Sequence, residues 1–178
     1  MTTLRTQRLV LRPLRRDDLE HLQRYGVRPE FYRYLYIPRQ TPEIVAAYLK
    51  QQLAEDARHD KQRWVFAVEP HEVAHLVGTV RMTILSREQQ AADIGYFMDS
   101  DYYGRGYATE AARALLDFGF RELKLHRISA TADVENQASW RVLERIGMKR
   151  EGLLRKDKLI RGEWRDFYLY AILEEDFL

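Results

Sequence analysis

Two glycines separated by one residue lie in a short connection between a predicted strand and a predicted helix. The connection reads Tyr103-Gly104-Arg105-Gly106-Tyr107-Ala108-Thr109, and its glycines allow backbone N–H groups to converge without obstruction from a Cβ atom. With the positive end of a helix dipole behind them, such donors form an anion site that suits a pyrophosphate. Arg105 adds a positive charge at the mouth of this site.

The alternative interpretation of this connection is a plain glycine turn that caps a helix. Two better-known phosphate motifs are excluded. The stretch lacks the Gly-Lys-Ser/Thr ending of a P-loop, and it lacks the third glycine of a dinucleotide-binding fingerprint.

A second stretch, His71-Glu72-Val73-Ala74-His75, matches the H-E-x-x-H signature of zinc proteases. That motif binds zinc only on a helix, where the two histidines lie one turn apart and the glutamate acts as a base. Here Pro70 precedes the stretch and a β-rich run begins at Leu76. We therefore interpret it as a connection between strands and predict no metal site.

The elements that must position these residues follow from apolar periodicity. Alternating residues predict strands at 8–12, 64–68, 76–85, 92–99 and 127–134, and two more within 148–173 joined near Gly162. Helical spacing and capping residues predict a short helix from Asp18 to Gly26 and longer ones over 41–58, 107–123 and 137–146. The strands between 64 and 99 suggest an antiparallel meander.

Composition limits the class of protein. The 178 residues are 46% hydrophobic, enough for one sizeable core, and we expect a single domain over residues 1–178. The absence of cysteine excludes disulfides and cysteine nucleophiles and fits a reducing, cytoplasmic compartment. A net charge of +2 and the lack of an apolar run of about 20 residues argue against nucleic-acid and membrane partners.

Five ordered blocks of sequence, spread over nearly the whole chain, share a pattern with one enzyme superfamily. The blocks are residues 6–12, 93–97, 103–110, 136–148 and 166–173. They resemble, in that order, the motifs TxRLxLR, EIGYW, GxGYATEA, NxxSxxVLEKxGF and DxxLYxLL of the GNAT superfamily of acetyltransferases, in particular of its ribosomal-protein-alanine (RimJ/RimL-type) branch. The resemblance implies an α/β (mixed α+β) fold with a central, mostly antiparallel twisted sheet. That sheet would have six to seven strands, be splayed at an acetyl-CoA site and be flanked by about four helices.

The resemblance also implies that acetyl-CoA is the cosubstrate and lies between the strands that hold Phe97 and Ala130. The pantetheine arm would pair with backbone near Phe97 and Met98, and the pyrophosphate would lie on the glycine loop. The cofactor-binding residues implied in this way are Phe97, Met98, Tyr103, Gly104, Arg105, Gly106, Tyr107, Ala108, Thr109, Asn136 and Ser139. Tyr103 departs from the superfamily's usual Gln or Arg, which weakens a side-chain contact to phosphate but leaves the backbone cradle.

Acetyl transfer to an amine needs a base for the amine and an acid for the departing thiolate. Asp93 stands where the branch often has Glu, so we expect it to be the general base beside the acceptor, acting through water. The alternative is a solvated carboxylate at a strand start. The tyrosine that many GNAT enzymes use as the acid is replaced by Leu143. Ser139 is then the remaining candidate, and its alternative role is to satisfy backbone donors in the first turn of a helix.

Aromatic residues are the candidates for an acceptor pocket. By analogy with GNAT folds, the segment after the first helix covers the substrate, which favours Tyr32 and Tyr36, and Trp64 is added on residue type. The alternative for all three is packing in the core or in a lid.

These residues together predict an acetyl-CoA-dependent N-acetyltransferase acting on a primary amine. An α-amine (pKa about 8) loses its proton more easily than a lysine or polyamine amine (pKa about 10.4). The modest base and acid therefore favour a protein N-terminal α-amine. The alternatives are a small-molecule amine (polyamine, aminoglycoside or amino acid) and a non-catalytic acyl-CoA-binding domain. Analogy suggests a homodimer.

Overall fold

One mixed sheet of eight strands organises the chain. A computed structural model describes residues 2–58 and 60–177, so Met1, His59 and Leu178 lie outside the described part. The strands are β1 (Leu4–Arg5), β2 (Leu9–Pro13), β3 (Arg63–Pro70), β4 (Gly78–Ser86), β5 (Ala91–Met98), β6 (Arg127–Asp133), β7 (Lys149–Ile160) and β8 (Glu163–Leu173). Their order across the sheet is β1-β2-β3-β4-β5-β6-β8-β7. Neighbours pair antiparallel except β5 and β6, which run parallel.

Six α-helices accompany the sheet within the described residues: α1 (Leu19–Gly26), α2 (Pro29–Tyr32), α3 (Pro42–Asp56), α4 (Tyr107–Arg121), α5 (Gln137–Arg145) and α6 (Glu174–Phe177). The predicted fold class is confirmed, but the expected counts of six to seven strands and about four helices are too low. The elements missed are β1, of two residues, and α2 and α6, of four residues each, which are too short to give a periodic pattern. None of the helices in the described ranges is both long and apolar enough to cross a bilayer.

Two of the helices, α3 and α5, begin at a residue whose side chain caps them. Thr41 caps α3 by accepting a hydrogen bond from the Ile44 N–H, and Pro42 occupies the first turn, where its missing N–H is not needed. Asn136 caps α5 in the same way, with its Oδ1 accepting from the Ser139 N–H at 3.1 Å. Gly106, the cap of α4, has no side chain to play this part.

The helices cover both faces of the sheet. On one face, the apolar stripe of α4 and the inner side of α5 pack against β3, β4, β5 and β6, in a core that includes Leu115, Leu116, Leu143, Met82 and Ile128. On the other face, α1 and α3 pack through Leu22, Tyr25, Val45 and Leu49 against Ala67 of β3. Alternate residues of a strand therefore enter different cores.

The parallel pair β5–β6 separates part-way along its length. Its register contains Ala91↔Arg127, Ala92↔Ile128 and Asp93↔Ser129, yet β5 continues to Met98 and β6 to Asp133. Beyond Asp93 and Ser129 the two strands pair with β4 and β8 on their outer sides but not with each other. This is the splay that the resemblance predicted, and its wide end lies at Met98 and Asp133.

Candidate active site

The glycine loop at the start of α4 is built on two left-handed residues. Gly104 has φ 77° and Gly106 has φ 79°, a region that costs residues with a Cβ about 1–2 kcal/mol. Gly106 is the N-cap of α4 and has no side-chain cap, and the first backbone bond of the helix runs from the Glu110 N–H to the Gly106 carbonyl. The N–H groups of residues 107–109 therefore lack an intrahelical partner and point, with the helix dipole, toward any bound anion.

A network of ion pairs and hydrogen bonds from the turn between β1 and β2 supports this loop. The Glu110 carboxylate accepts hydrogen bonds from Thr6 Oγ1 (2.6 Å), the Arg8 N–H (2.9 Å) and Arg8 Nε (2.7 Å), and Arg8 also donates to the Arg105 carbonyl (2.9 Å). Burial alone raises the pKa of Glu110, but the hydrogen bonds from Thr6 and Arg8 outweigh it and hold that pKa below its ordinary value. Sequence reasoning missed this network, although two of the five blocks supply its residues.

The H-E-x-x-H stretch supports the same loop. It lies in the turn between β3 and β4 rather than on a helix, as predicted. The Tyr107 hydroxyl donates a hydrogen bond to the Glu72 carboxylate, and Arg105 lies 3.6 Å from it. His75 is stacked on His21 and bonded to the Tyr102 hydroxyl. The described residues contain no group of three or more His, Cys, Asp or Glu side chains that could hold a metal ion.

The loop residues predicted to bind the cofactor differ in what they expose. Tyr103 and Arg105 have exposed side chains. The Tyr107 ring is buried and its hydroxyl is committed to Glu72, so this residue has only its backbone N–H to offer an anion. Ala108 and Thr109 follow in the first turn of α4.

On β5, Phe97 and Met98 lie beyond the last pair with β6. The Met98 side chain is buried in the core on the α4 face, whereas the Phe97 ring packs against Phe31, with ring centroids 5.6 Å apart. The β6-facing edge of β5 is therefore unpaired at both residues, which leaves backbone groups for a ligand that enters the gap.

Asp93 lies where β5 and β6 separate, on the face covered by α1 and α3. Its Oδ2 accepts a hydrogen bond from Arg81 at 2.7 Å, and the side chain is 26% exposed. No described residue donates to its Oδ1. Asp93 is thus a half-buried, paired carboxylate rather than a freely solvated one. Arg81, its partner from β4, was not found by sequence reasoning.

Ser139 and Asn136 lie at the N-terminus of α5 but have separate tasks. Asn136 satisfies the backbone donor of the first turn, so Ser139 Oγ is left for another partner. The Tyr96 hydroxyl donates to the Ser139 carbonyl (2.8 Å) and lies 3.1 Å from Ser139 Oγ. Burial raises the pKa of Tyr96 well above its ordinary value, so the hydroxyl stays neutral. Leu143 is buried in the core.

Tyr96 was also missed by sequence reasoning. The available signal was its place inside the sequence block 93–97, on the strand predicted at 92–99. On a strand, it alternates with Asp93, Gly95 and Phe97 and must face α4 and α5.

A cleft of about 530 Å³ lies between α2 and the turn that joins β7 to β8. It is lined by Pro29, Glu30, Tyr32, Arg33, Arg39, Ile160, Arg161, Glu163 and Arg165. Both walls are tied to the wide end of the β5–β6 gap: Phe31 of α2 packs on Phe97 of β5, and Arg165 of β8 donates to Asp133 at the end of β6 (3.1 Å). The cleft therefore adjoins the gap.

The three aromatic residues predicted to bind the acceptor have different surroundings. Tyr32 lines the cleft, and its hydroxyl donates to the Gln40 carbonyl at 3.1 Å. Tyr36 is 57% exposed and lies outside the lining, with its ring 5.3 Å from Lys158 Nζ. The prediction that Trp64 binds the acceptor is contradicted by its position. Its ring is buried against Phe118 in the core on the α4 face, opposite the face that carries Asp93.

Comparison with known proteins adds the following. The acetyltransferase (GNAT) domain pattern matches residues 8–149. The chain is 32% identical over 177 residues to the N-acetyltransferase p20 of Bacillus licheniformis, with 99% of each chain covered. It is 26% identical over 169 residues to the spermidine N(1)-acetyltransferase of Escherichia coli, with 94% of this chain and 87% of that one covered.

Two solved structures share the fold along the chain. RimJ of Mycobacterium smegmatis, in complex with CoA-disulfide, superposes with a TM-score of 0.84 at 28% identity, covering 98% of this chain and 87% of that one. The ribosomal-protein-S5-alanine acetyltransferase of Vibrio fischeri gives a TM-score of 0.83 at 26% identity and full coverage of both chains. The acceptors named for these relatives differ, a polyamine in one and a ribosomal protein in another.

Proposed function

Because the chain belongs to the GNAT acetyltransferase family and is an N-acetyltransferase, we propose that it transfers the acetyl group of acetyl-CoA to an α-amine. The observation that supports this most is the separation of β5 from β6 beside the uncapped N-terminus of α4. An unpaired strand edge and a set of free N–H groups at a helix start are what an amide-containing, diphosphate-bearing acyl carrier requires.

In this proposal the carrier supplies a thioester as the acyl donor, and the chain's own groups bind and orient it. The N–H groups of Gly104 to Thr109 hold the pyrophosphate, with Arg105 as an added charge. The β5 backbone at Phe97 and Met98, together with the Asn136 side chain, holds the pantetheine arm. Glycine at position 106 fits because a Cβ there would lie 3.4 Å from the Arg8 guanidinium and would need a strained φ.

Asp93 removes the proton of the acceptor amine, through a water molecule at its Oδ1. The ion pair with Arg81 fixes the carboxylate in place. A carboxylate that acts through water suffices for an amine whose pKa is about 8 and is poorly matched to one whose pKa is about 10.4. The proposal of an α-amine rests on this difference.

The Ser139 hydroxyl donates a hydrogen bond to the departing sulfur, and Tyr96 holds Ser139 in position through its 2.8 Å bond to the Ser139 carbonyl. A backbone N–H near Phe97 faces the carbonyl oxygen, where negative charge develops. Tyr96 is therefore a positioning residue in this scheme, since it acts through Ser139.

Among α-amines, a protein N-terminus is the acceptor that the likeness to the ribosomal-protein-S5-alanine acetyltransferase supports. A polyamine is the second candidate, favoured by the likeness to the spermidine enzyme. The proposal also includes a cytoplasmic location and no membrane or nucleic-acid partner, in line with the cysteine-free sequence and its net charge of +2. A homodimer is included by analogy alone.

The test is an acceptor screen that follows release of free CoA from acetyl-CoA by the purified chain. The panel holds an alanine-led tetrapeptide amide, free amino acids, α-acetyl-lysine amide, spermidine and an aminoglycoside. We expect turnover with α-amines above turnover with the lysine side chain. Calorimetry with CoA provides the control: binding without turnover of any amine indicates a non-catalytic domain, and no binding at all contradicts the proposal.

A further inference from the structure

The cleft between α2 and the β7–β8 turn carries an excess of positive charge. Four of its lining residues are arginines, Arg33, Arg39, Arg161 and Arg165, and two are glutamates, Glu30 and Glu163. The lining therefore has a formal charge of +2, four positive charges less two negative ones. By comparison, the whole chain of 178 residues also has a net charge of +2.

Ion pairing within the described residues involves only one of these four arginines. Arg165 is neutralised by Asp133 (3.1 Å), Glu135 and Glu163 (3.5 Å). In contrast, no carboxylate of the described residues lies within 4.0 Å of the guanidinium groups of Arg33, Arg39 or Arg161. Unpaired arginines at one cleft are a site for an anion, because a guanidinium binds a carboxylate or phosphate through two parallel hydrogen bonds.

The three unpaired arginines are not equivalent. Arg161 is fixed in the wall, since its guanidinium donates to the backbone carbonyls of Tyr32 (2.7 Å) and Arg33 (2.9 Å). Arg33 and Arg39 are exposed side chains that line the same cleft. These two have free donors to offer a ligand, and Arg161 adds charge beside them.

We infer that the cleft selects an acceptor that carries a carboxylate close to its amine, and that Arg33 and Arg39 bind this carboxylate. The inference rests on the proposed function and names the substrate class of the same site. A free amino acid and a peptide with acidic residues after its N-terminus both present this chemistry. A polycation such as spermidine does not, because its charges have the same sign as the unpaired arginines.

The test compares matched acceptors that differ in one charge. The first pairs are free leucine, methionine, phenylalanine and tryptophan against their primary amides. The second pair is Ala-Asp-Asp-Ala-amide against Ala-Asn-Asn-Ala-amide, and spermidine is assayed alongside. Because a hydrogen bond to a charged group is strong, we expect kcat/KM for at least one acidic member to exceed that of its neutral partner about tenfold to a hundredfold. The first set reports a free amino acid and the second a peptide.

The variants connect this preference to the two arginines. In the Arg33→Gln/Arg39→Gln double variant the acidic acceptor should fall to the level of its neutral partner, with the acetyl-CoA KM unchanged. Arg16→Gln, an exposed arginine outside the cleft lining, is the matched control and should keep the preference. A preference that persists in the double variant, or equal use of acid and amide by the wild type, overturns the inference.

A binding measurement separates this inference from the proposed function. The same acid and amide probes are titrated calorimetrically into the chain in the presence of CoA. If no amine releases CoA, the proposed function fails, but tighter binding of the acid that is lost in the double variant still supports the anion site. Equal affinity for acid and amide overturns the anion site, whatever the turnover.

Discussion

The glycine loop at the start of α4 and the cleft between α2 and the β7–β8 turn adjoin the same wide end of the β5–β6 gap, but they present different kinds of groups. The loop presents backbone N–H groups, placed by two left-handed glycines in one short stretch. The cleft presents side chains from segments far apart in the chain, such as Tyr32 and Arg161, which are 129 residues apart.

Under the proposed function, this difference would allow members of the family to share a carrier and differ in acceptor. A backbone cradle depends on φ angles, so most substitutions in it carry a conformational cost. Exposed arginines such as Arg33 and Arg39 can be replaced at little cost to stability, because surface substitutions are usually within about 0.5 kcal/mol. The loop is therefore expected to be common to the family, and the cleft to be specific to each member.

The largest effect should come from Asp93, which lies at the closed end of the β5–β6 gap that both regions adjoin. Asp93→Ala should lower kcat about 10²- to 10⁴-fold for a lysine-type amine, because that amine needs a general base most. The loss should be smaller for an α-amine, and the acetyl-CoA KM should not change. Steady-state kinetics with both amines measure this.

Asp93→Glu is the matched variant for this prediction, because it keeps the carboxylate, and it should retain most of the activity. Equal and negligible losses for both amines in Asp93→Ala would remove Asp93 from the role of base.

Substitution of two glycines with similar backbone geometry tests the comparison between the glycine loop and the cleft. Gly106→Trp should raise the acetyl-CoA KM about tenfold or more, since a bulky side chain at φ 79° obstructs the phosphate turn. Gly162→Trp, at φ 86° in the β7–β8 turn with open space around its Cβ, should change the acceptor KM and leave the acetyl-CoA KM as it is. The reverse pattern would contradict the proposal that the loop binds acetyl-CoA and the cleft binds the acceptor.

A smaller effect is expected from Tyr96→Phe, which removes the hydroxyl bonded to Ser139. A hydrogen bond of this kind contributes about 0.5–1.5 kcal/mol, so kcat should fall about twofold to tenfold while both KM values stay nearly constant. Because burial raises the pKa of Tyr96, its hydroxyl stays protonated through pH 10. The alkaline side of the kcat profile should therefore be the same in wild type and variant. An ionisation near pH 10 that is present only in the wild type contradicts this role.

Local features were predictable from the sequence where one residue type decides the backbone. Thr41 caps α3 as its residue type predicts, and Gly106 is left-handed at the turn into α4. The separation of β5 from β6 after Asp93 was predicted from the resemblance. These features depend on a few neighbouring residues or on an ordered set of motifs, so a single sequence contains them.

Features that depend on which face a strand residue takes, or on distant partners, were not predictable. Trp64 was wrongly assigned to the acceptor pocket because β3 has buried residues on both faces, Phe66 toward α4 and Ala67 toward α1 and α3. Residue type alone gives no face in such a strand. Nor does the sequence indicate that Arg81 meets Asp93, since that pairing depends on the register of β4 with β5.

Arg161, in the β7–β8 turn, connects that turn to the end of α2 through its hydrogen bonds to the Tyr32 and Arg33 carbonyls. If acceptors enter through this cleft, as proposed, part of its wall is held by one side chain at the tip of a hairpin, itself at a positive φ of 50°. We expect loss of that residue to release the hairpin tip without disturbing the glycine loop. A single substitution there would then change which amines enter, while the same coenzyme is used.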